Sequence, residues 1–550
     1  MPDQSRSKKI VAVLSVAVIA VSAFGLLLWQ WAAPGVIEEA FNGRSWPLVN
    51  KYVAIHRSID PANRTLEYFL LNGRPVVTRL LGVLMLSQIL LLMGMRLGTS
   101  LIRKFFSART HPANLAIFRI ILFASILIYI DFPQIIEFSS FPSELRVAPF
   151  GLGWLLRILP IDPAWASVAS GLFLLACGAA LLGFWSRTSA AMTTILGIYV
   201  LGIPQFFGKI DHYHHLLWFS ALMAVSPCGD VFSLDAFMAR RRNRSSDWPE
   251  SSVIYAFPLR LVMLLMGIIY FFAGFWKFVI GGFGWATSDT MKYILYAQWF
   301  RLDWMPALRI DQFPTLYIGA GLGVMVFELT FIVLLFFPRL RTVAALGGVV
   351  FHLAVYFFAH INFWTLGLCY VVFIDFDPLI RRLKSLPSRT AETISSQPPS
   401  EVEKQTLKPI LFVGALLLFV NILCGLTLVD SWPFAVYPTF ASVEEKYLQS
   451  LTIALVNPNG TQSEIIPYKD RSLQAEFHPS RMIGLFTQVL WATDSTEIRK
   501  RGNALMNLLS EKDVRLRNAT SILLYKDICS VVPEEQQGNP LRRNLLLRVR

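Results

Sequence analysis

The sequence predicts an all-α polytopic membrane protein of about 11 transmembrane helices, followed by a small α+β extracytoplasmic C-terminal domain. Three observations carry this reading. The chain is 54% hydrophobic and 16% charged, and apolar runs of bilayer length recur along its 550 residues. The formal charge of +14 sits mainly in short loops beside those runs, as membrane orientation requires. Beyond residue 430 the pattern changes to short alternating segments and then to helical spacing.

Residues 1–109 hold two spans and an outer loop. Arg6, Lys8 and Lys9 precede the apolar run 10–31, which is longer than a signal-peptide core and reads as a retained first helix. A polar segment leads to a second span, 76–95, with Arg79 near its outer end. The basic residues Arg96, Arg103, Lys104 and Arg109 then open a membrane domain, 110–380. Its spans are 115–130 with Arg119 inside; 164–184 and 190–207 around Arg187; 214–225; 258–280; 315–337 and 343–358 around Arg339 and Arg341; and the short 363–374. The Pro-, Phe- and Trp-rich stretch 131–163 suits an interfacial or re-entrant segment. Residues 381–409 read as a cytoplasmic linker that cannot bury a core.

The last span, 410–429, leads to the tail domain, 430–550. There 451–456 and 464–468 read as strands and 480–509 as helix, while Trp432 to Pro438 reads as an interfacial anchor. With the N-terminus inside, every strongly basic loop falls on the cytoplasmic side and the tail falls outside. No basic stripe with interleaved aromatics points to nucleic acid. The five cysteines form no disulfide framework or zinc spacing, and no metal is expected. Nucleotide fingerprints and the paired broken helices of a transporter are also absent from the pattern.

The chemistry concentrates in residues 205–235, where Lys209, Asp211, His212, His214 and His215 lie between apolar runs. Ionisable groups at membrane depth cost several kcal/mol unless they line a cavity or pair with one another. A poorly solvated Lys209 would be a candidate base; the competing reading has it snorkelling to water and pairing with Asp211. Arg119, Lys277, Glu328 and His352 carry the same ambiguity, and a pair of Arg119 with Glu328 or Asp131 that fastens the bundle is the favoured structural reading. Tyr270 to Trp276 reads as helix packing in which Ala273 and Gly274 admit a close helix or a flat ligand.

Six stretches follow one another across residues 110–380: Leu115-Ala-Ile-Phe-Arg119-Ile, Ile130-Asp-Phe-Pro-Gln134, Lys209 to His215, Ser233-Leu-Asp235, Tyr270-Phe-Phe-Ala-Gly274 with Lys277, and Phe351-His352. Together they resemble the vitamin K-dependent γ-carboxylase-like family, whose membrane part is the horizontally transferred transmembrane (HTTM) domain. The resemblance implies a lysine base on the outer side, matched by Lys209, with His212 or His215 as its partner. It offers Arg119, Tyr270, Lys277 and His352 as substrate-binding residues. Reduced vitamin K or another quinone is the implied cosubstrate, and the implied chemistry is carboxylase- or epoxidase-like. A second reading stays open: a non-catalytic membrane partner, immunity or export component whose tail binds another protein.

Overall fold

The computed structural model of the protein describes residues 3–45, 49–50, 53, 57, 65–149, 160–207, 212–243, 249–383, 399–428, 431–436 and, with short breaks, 440–549. Two long helices, α1 (Asp3–Phe41) and α2 (Leu66–Phe106), pack antiparallel. Trp29 donates to the Arg74 carbonyl at 3.1 Å, and Gly25 lies against Leu81 while Gly73 lies against Ile37. The second helix begins earlier than the apolar pattern suggests. Thr65 caps it by accepting from the Tyr68 amide, and Pro75 is carried inside the helix.

The bundle continues with α3 (Pro112–Tyr129), α4 (Pro163–Leu182), α5 (Ser186–Val200), α6 (His214–Val225), α7 (Val253–Gly281), α8 (Thr290–Leu302), α9 (Pro314–Leu334), α10 (Pro338–Ala359), α11 (Trp364–Leu368) and α12 (Glu401–Thr427). Proline opens α3, α4, α9 and α10, where its missing N–H costs nothing and its fixed φ suits the first turn. A capping box between Ser400 and Glu403 starts α12, so the end of the expected linker is helical. The part of that linker from 384 to 398 lies outside the described residues.

Among the described residues, nine helices are long and apolar enough to cross a membrane, which makes the chain a multi-pass integral membrane protein. The remaining two expected spans correspond to shorter apolar helices, α6 and the run Trp364–Phe373. At 12 residues, α6 rises only about 18 Å, against about 30 Å of hydrocarbon. Its flanking turns complete the distance between the two ends of the bundle, as their partners show. Before it, His214 Nε2 donates to the Ser431 carbonyl at 3.0 Å, just beyond α12. After it, the Cys228 carbonyl accepts from Arg119, near the start of α3.

One end of the bundle gathers the basic loops. Glu403 accepts from both terminal nitrogens of Arg109, at 2.8 and 3.1 Å, and from Ser252 Oγ at 2.5 Å, which ties the starts of α3, α7 and α12 together. Asn114 donates to Asp375 at 2.9 Å. The Arg260 and Arg341 guanidiniums both lie over the Phe105 ring, 5.1 and 5.0 Å from its centre. At the centre of the bundle α7 is buried along most of its length. Gly425 lets α12 close on Phe272 and accept the Trp276 indole N–H at 2.7 Å.

The tail docks on the opposite end. It is a four-stranded antiparallel sheet in the order β2-β1-β3-β4, built from β1 (Tyr447–Val456), β2 (Gln462–Ile465), β3 (Ser521–Ser530) and β4 (Arg542–Arg548). Two helices, α13 (Pro479–Leu490) and α14 (Ser495–Lys512), occupy the single stretch read as helical from the sequence. Arg481 reaches the Pro204 carbonyl at 3.4 Å, Lys512 pairs with Glu137 at 3.0 Å, and Arg309 pairs with Glu534 at 3.1 Å. Trp432, expected at the membrane interface, is instead 1% exposed. Its indole donates to the Ile198 carbonyl at 2.7 Å, so Trp432 is a peg in the bundle.

Candidate functional site

Helical spacing sets Tyr270, Ala273 and Lys277 on one face of α7. That face meets α9 closely because Gly274 leaves no side chain between them: a Cβ there would stand 2.8 Å from Glu328 Cβ. The approach brings Lys277 Nζ to 2.7 Å from each carboxylate oxygen of Glu328, with each side chain only 3% exposed. The ammonium also lies 5.2 Å from the centre of the Trp285 ring. An apolar wall with a matched pair set into it avoids the penalty of an isolated buried charge.

The pair opens onto a cavity of about 190 Å³ between α7, α8, α9 and α10. Its lining is mainly apolar, with Ile269, Val324, Phe351, Val355, Phe358 and Leu366 among the walls. Apolar cavities of about 150 Å³ hold a benzene ring, so this volume suits a ring-sized ligand. His352 of α10 also lines the cavity, and its Nε2 lies 2.6 Å from the Tyr270 hydroxyl. The same hydroxyl lies 2.6 Å from that of Tyr370. Above, Phe440 of the tail lines the cavity, and its carbonyl accepts from the Trp285 indole at 2.9 Å.

Of the residues expected to bind substrate, Tyr270, Lys277 and His352 therefore converge on one cavity, whereas Arg119 does not reach it. Arg119 is fully buried at the basic end and donates to the carbonyls of Cys228 at 2.9 Å and Phe232 at 2.5 Å. The expected pairing of Arg119 with Glu328 or Asp131 is corrected. Glu328 belongs to Lys277, and Asp131 caps a short helix by accepting from the Gln134 amide at 3.0 Å.

Lys209 and Asp211 lie outside the described residues. Of their neighbours, His215 is buried, with its ring 5.7 Å from that of Phe219. His212 is half-buried and places its ring 5.4 Å from Phe363, a cavity residue whose ring is also 5.5 Å from His352. His212 thus stands behind one wall of the cavity. Sequence reasoning overlooked Tyr370, Trp285 and Phe440 because they come from loops and short helices without a periodic signal. Glu328 could have been paired correctly, being the single acid in α9 beside a helix with a lone lysine. Among the described residues, no group of three metal-ligating side chains is assembled.

A helical membrane bundle with an ion-paired, largely apolar cavity and a small sheet domain docked on one end describes a multi-pass membrane protein. Residues 108–377 match the family model described as the HTTM domain. Those residues are an HTTM domain, the membrane part named in the resemblance. The match names the domain and not a reaction, and no curated protein and no solved structure matches the chain.

Proposed function

We propose that the protein is a membrane enzyme whose cavity binds a reduced quinone or a similar lipid-soluble ring compound, and that the Lys277–Glu328 pair exchanges a proton with it. The observation that carries this reading is a 2.7 Å amine–carboxylate pair set into the wall of an apolar, ring-sized cavity. Moving one proton across that bond converts two buried charges into a neutral amine and a neutral acid, a change that low polarity favours. The amine can then take the O–H proton of a hydroquinone, leaving a quinolate beside an ammonium. The role that resemblance gave to Lys209 is thereby assigned to the lysine that lines the cavity.

Purified protein supplied with a reduced naphthoquinone and oxygen tests this. The parent should form epoxide, Lys277→Met should lose about 100-fold or more of that rate, and Lys209→Met should stay within about threefold of the parent. Equal rates in the parent and Lys277→Met would remove the pair from the chemistry. Ligand binding without any epoxide would favour the non-catalytic membrane component.

A further inference from the structure

The walls of the cavity are not alike. On the inner side stands α7, buried along most of its length. Toward the tail, Val531 is fully buried in one apolar cluster with the cavity residues Leu295, Ile310 and Ala359, and Phe440 adds to that roof. The helices α9 and α10 differ, because both carry large apolar side chains in the open, Leu316 and Val326 on the one and Val350 and Leu353 on the other. On a spanning helix such a surface faces lipid.

Ala320 belongs to both surfaces. It lines the cavity and is exposed on α9. Ala354 and Val355 of α10 also line the cavity and are half-buried. On either side of Ala320, a Cβ on Gly319 or Gly323 would meet nothing within 4 Å, so the space beside it is open. Ala320 stands six residues after Pro314, the start of α9 at the tail end, and therefore about 9 Å along the helix. With 21 residues, α9 matches the roughly 30 Å of hydrocarbon. An opening at Ala320 thus meets acyl chains and not headgroups or water.

Volume decides what such an opening is for. About 190 Å³ suits a ring and leaves no room for a long chain beside it. A chain that leaves between α9 and α10 stays in hydrocarbon, so none of its apolar area returns to water. We propose that the cavity opens sideways into the bilayer between α9 and α10 at Ala320, and that its ligand is a ring compound bearing a hydrocarbon chain, with the ring beside Lys277 and Glu328 and the chain passing over Ala320 into lipid. This rests on the quinone reading and narrows it from lipid-soluble rings in general to chain-bearing ones.

Gly323 offers a way to close the opening. Side chains on a helix lean toward its N-terminus, so the indole of Gly323→Trp lies back over Ala320 while replacing no residue of the cavity wall. The test is equilibrium binding of menadione, which has no chain, and of phylloquinone, its phytyl-bearing counterpart, to purified full-length protein in nanodiscs. Each probe is compared with the parent in the same lipid, so partition into the bilayer cancels. Gly323→Trp should weaken phylloquinone by about tenfold or more and leave menadione within about threefold, while Gly323→Ala should leave both unchanged. Undiminished phylloquinone binding in Gly323→Trp, an equal loss of both probes in a variant that still unfolds cooperatively, or a parent that binds menadione alone overturns the opening and leaves the cavity as a ligand site. If Gly323→Trp does not fold, phylloquinone with a photoreactive group at the end of its chain decides on the parent: cross-links to α9 and α10 support the opening, and cross-links to the tail overturn it. Failure of the parent to bind either probe overturns the quinone reading together with it.

Discussion

Two buried cations hold opposite ends of this bundle, and they differ in what surrounds them. Arg119 faces two backbone carbonyls, those of Cys228 and Phe232, with its fork of donors spread across a turn. Lys277 faces a single carboxylate and a cavity. Both are nearly inaccessible, and both sit in largely apolar helices. What separates them is free space. A cation enclosed by backbone fixes a loop, while a cation on the wall of an empty apolar volume, paired with a group able to take its proton, has somewhere to act.

The largest expected effect breaks both ends alike. Arg119→Met strands two buried carbonyls and Lys277→Met strands a buried carboxylate, so each should lower stability by about 3–5 kcal/mol, read as thermal unfolding in detergent. A double change separates them. Lys277→Met/Glu328→Leu replaces an ion pair by apolar side chains, and such replacements are often neutral or stabilising by about 1–4 kcal/mol; stability should return while epoxide formation stays lost. No single partner change should rescue Arg119→Met, because its acceptors are backbone. Recovery of turnover in the double variant would make the Lys277 site as structural as the Arg119 site.

A smaller effect probes the hydroxyl chain. Tyr270→Phe takes the shared partner from the Tyr370 hydroxyl and His352 Nε2, and thermal stability should fall by about 1–3 kcal/mol. Smallest of all is a change remote from both cations, in the tail. Arg515 donates to both oxygens of Asp513, at 3.1 and 2.6 Å, and these bonds hold the Asp513 carboxyl below its ordinary value of 3.8. A depressed carboxylate contributes stability that is fully present above the unfolded value and is lost as pH falls through the folded one. Tail unfolding should therefore become easier only below about pH 4, and Asp513→Asn should flatten that dependence while leaving menadione affinity unchanged. A matching change in ligand affinity would tie the tail's ion pairs to the cavity.

Much of the architecture was legible because membrane helices announce themselves by length and apolarity. The short α6 and Trp364–Phe373 were legible as apolar runs but not as short helices completed by turns, since hydropathy does not reveal where a chain enters the layer. In the tail, alternation marked parts of β1 and β2. The strands β3 and β4 carry Lys526, Asp527, Arg542 and Arg543, which blur the alternation, and Arg543 is held by Asp527 and Glu464 across the sheet. At the site, Tyr270, Lys277 and His352 could be chosen as ionisable or polar residues at membrane depth. Their convergence could not be read, because it depends on how α7, α9 and α10 rotate, and Gly274 sets that through contact rather than through pattern. The same limit produced the mistaken partner for Arg119.

The central claim, that the space beside Lys277 is a ligand site, is tested most directly by filling it. Ala354 lines the cavity from α10 and is partly exposed, so Ala354→Trp adds an indole to the volume at modest cost to the fold. Menadione binding to the nanodisc-embedded protein should weaken by about tenfold or more relative to the parent, with thermal stability changed by less than about 1.5 kcal/mol. Undiminished binding in Ala354→Trp would place the ligand elsewhere and contradict the account.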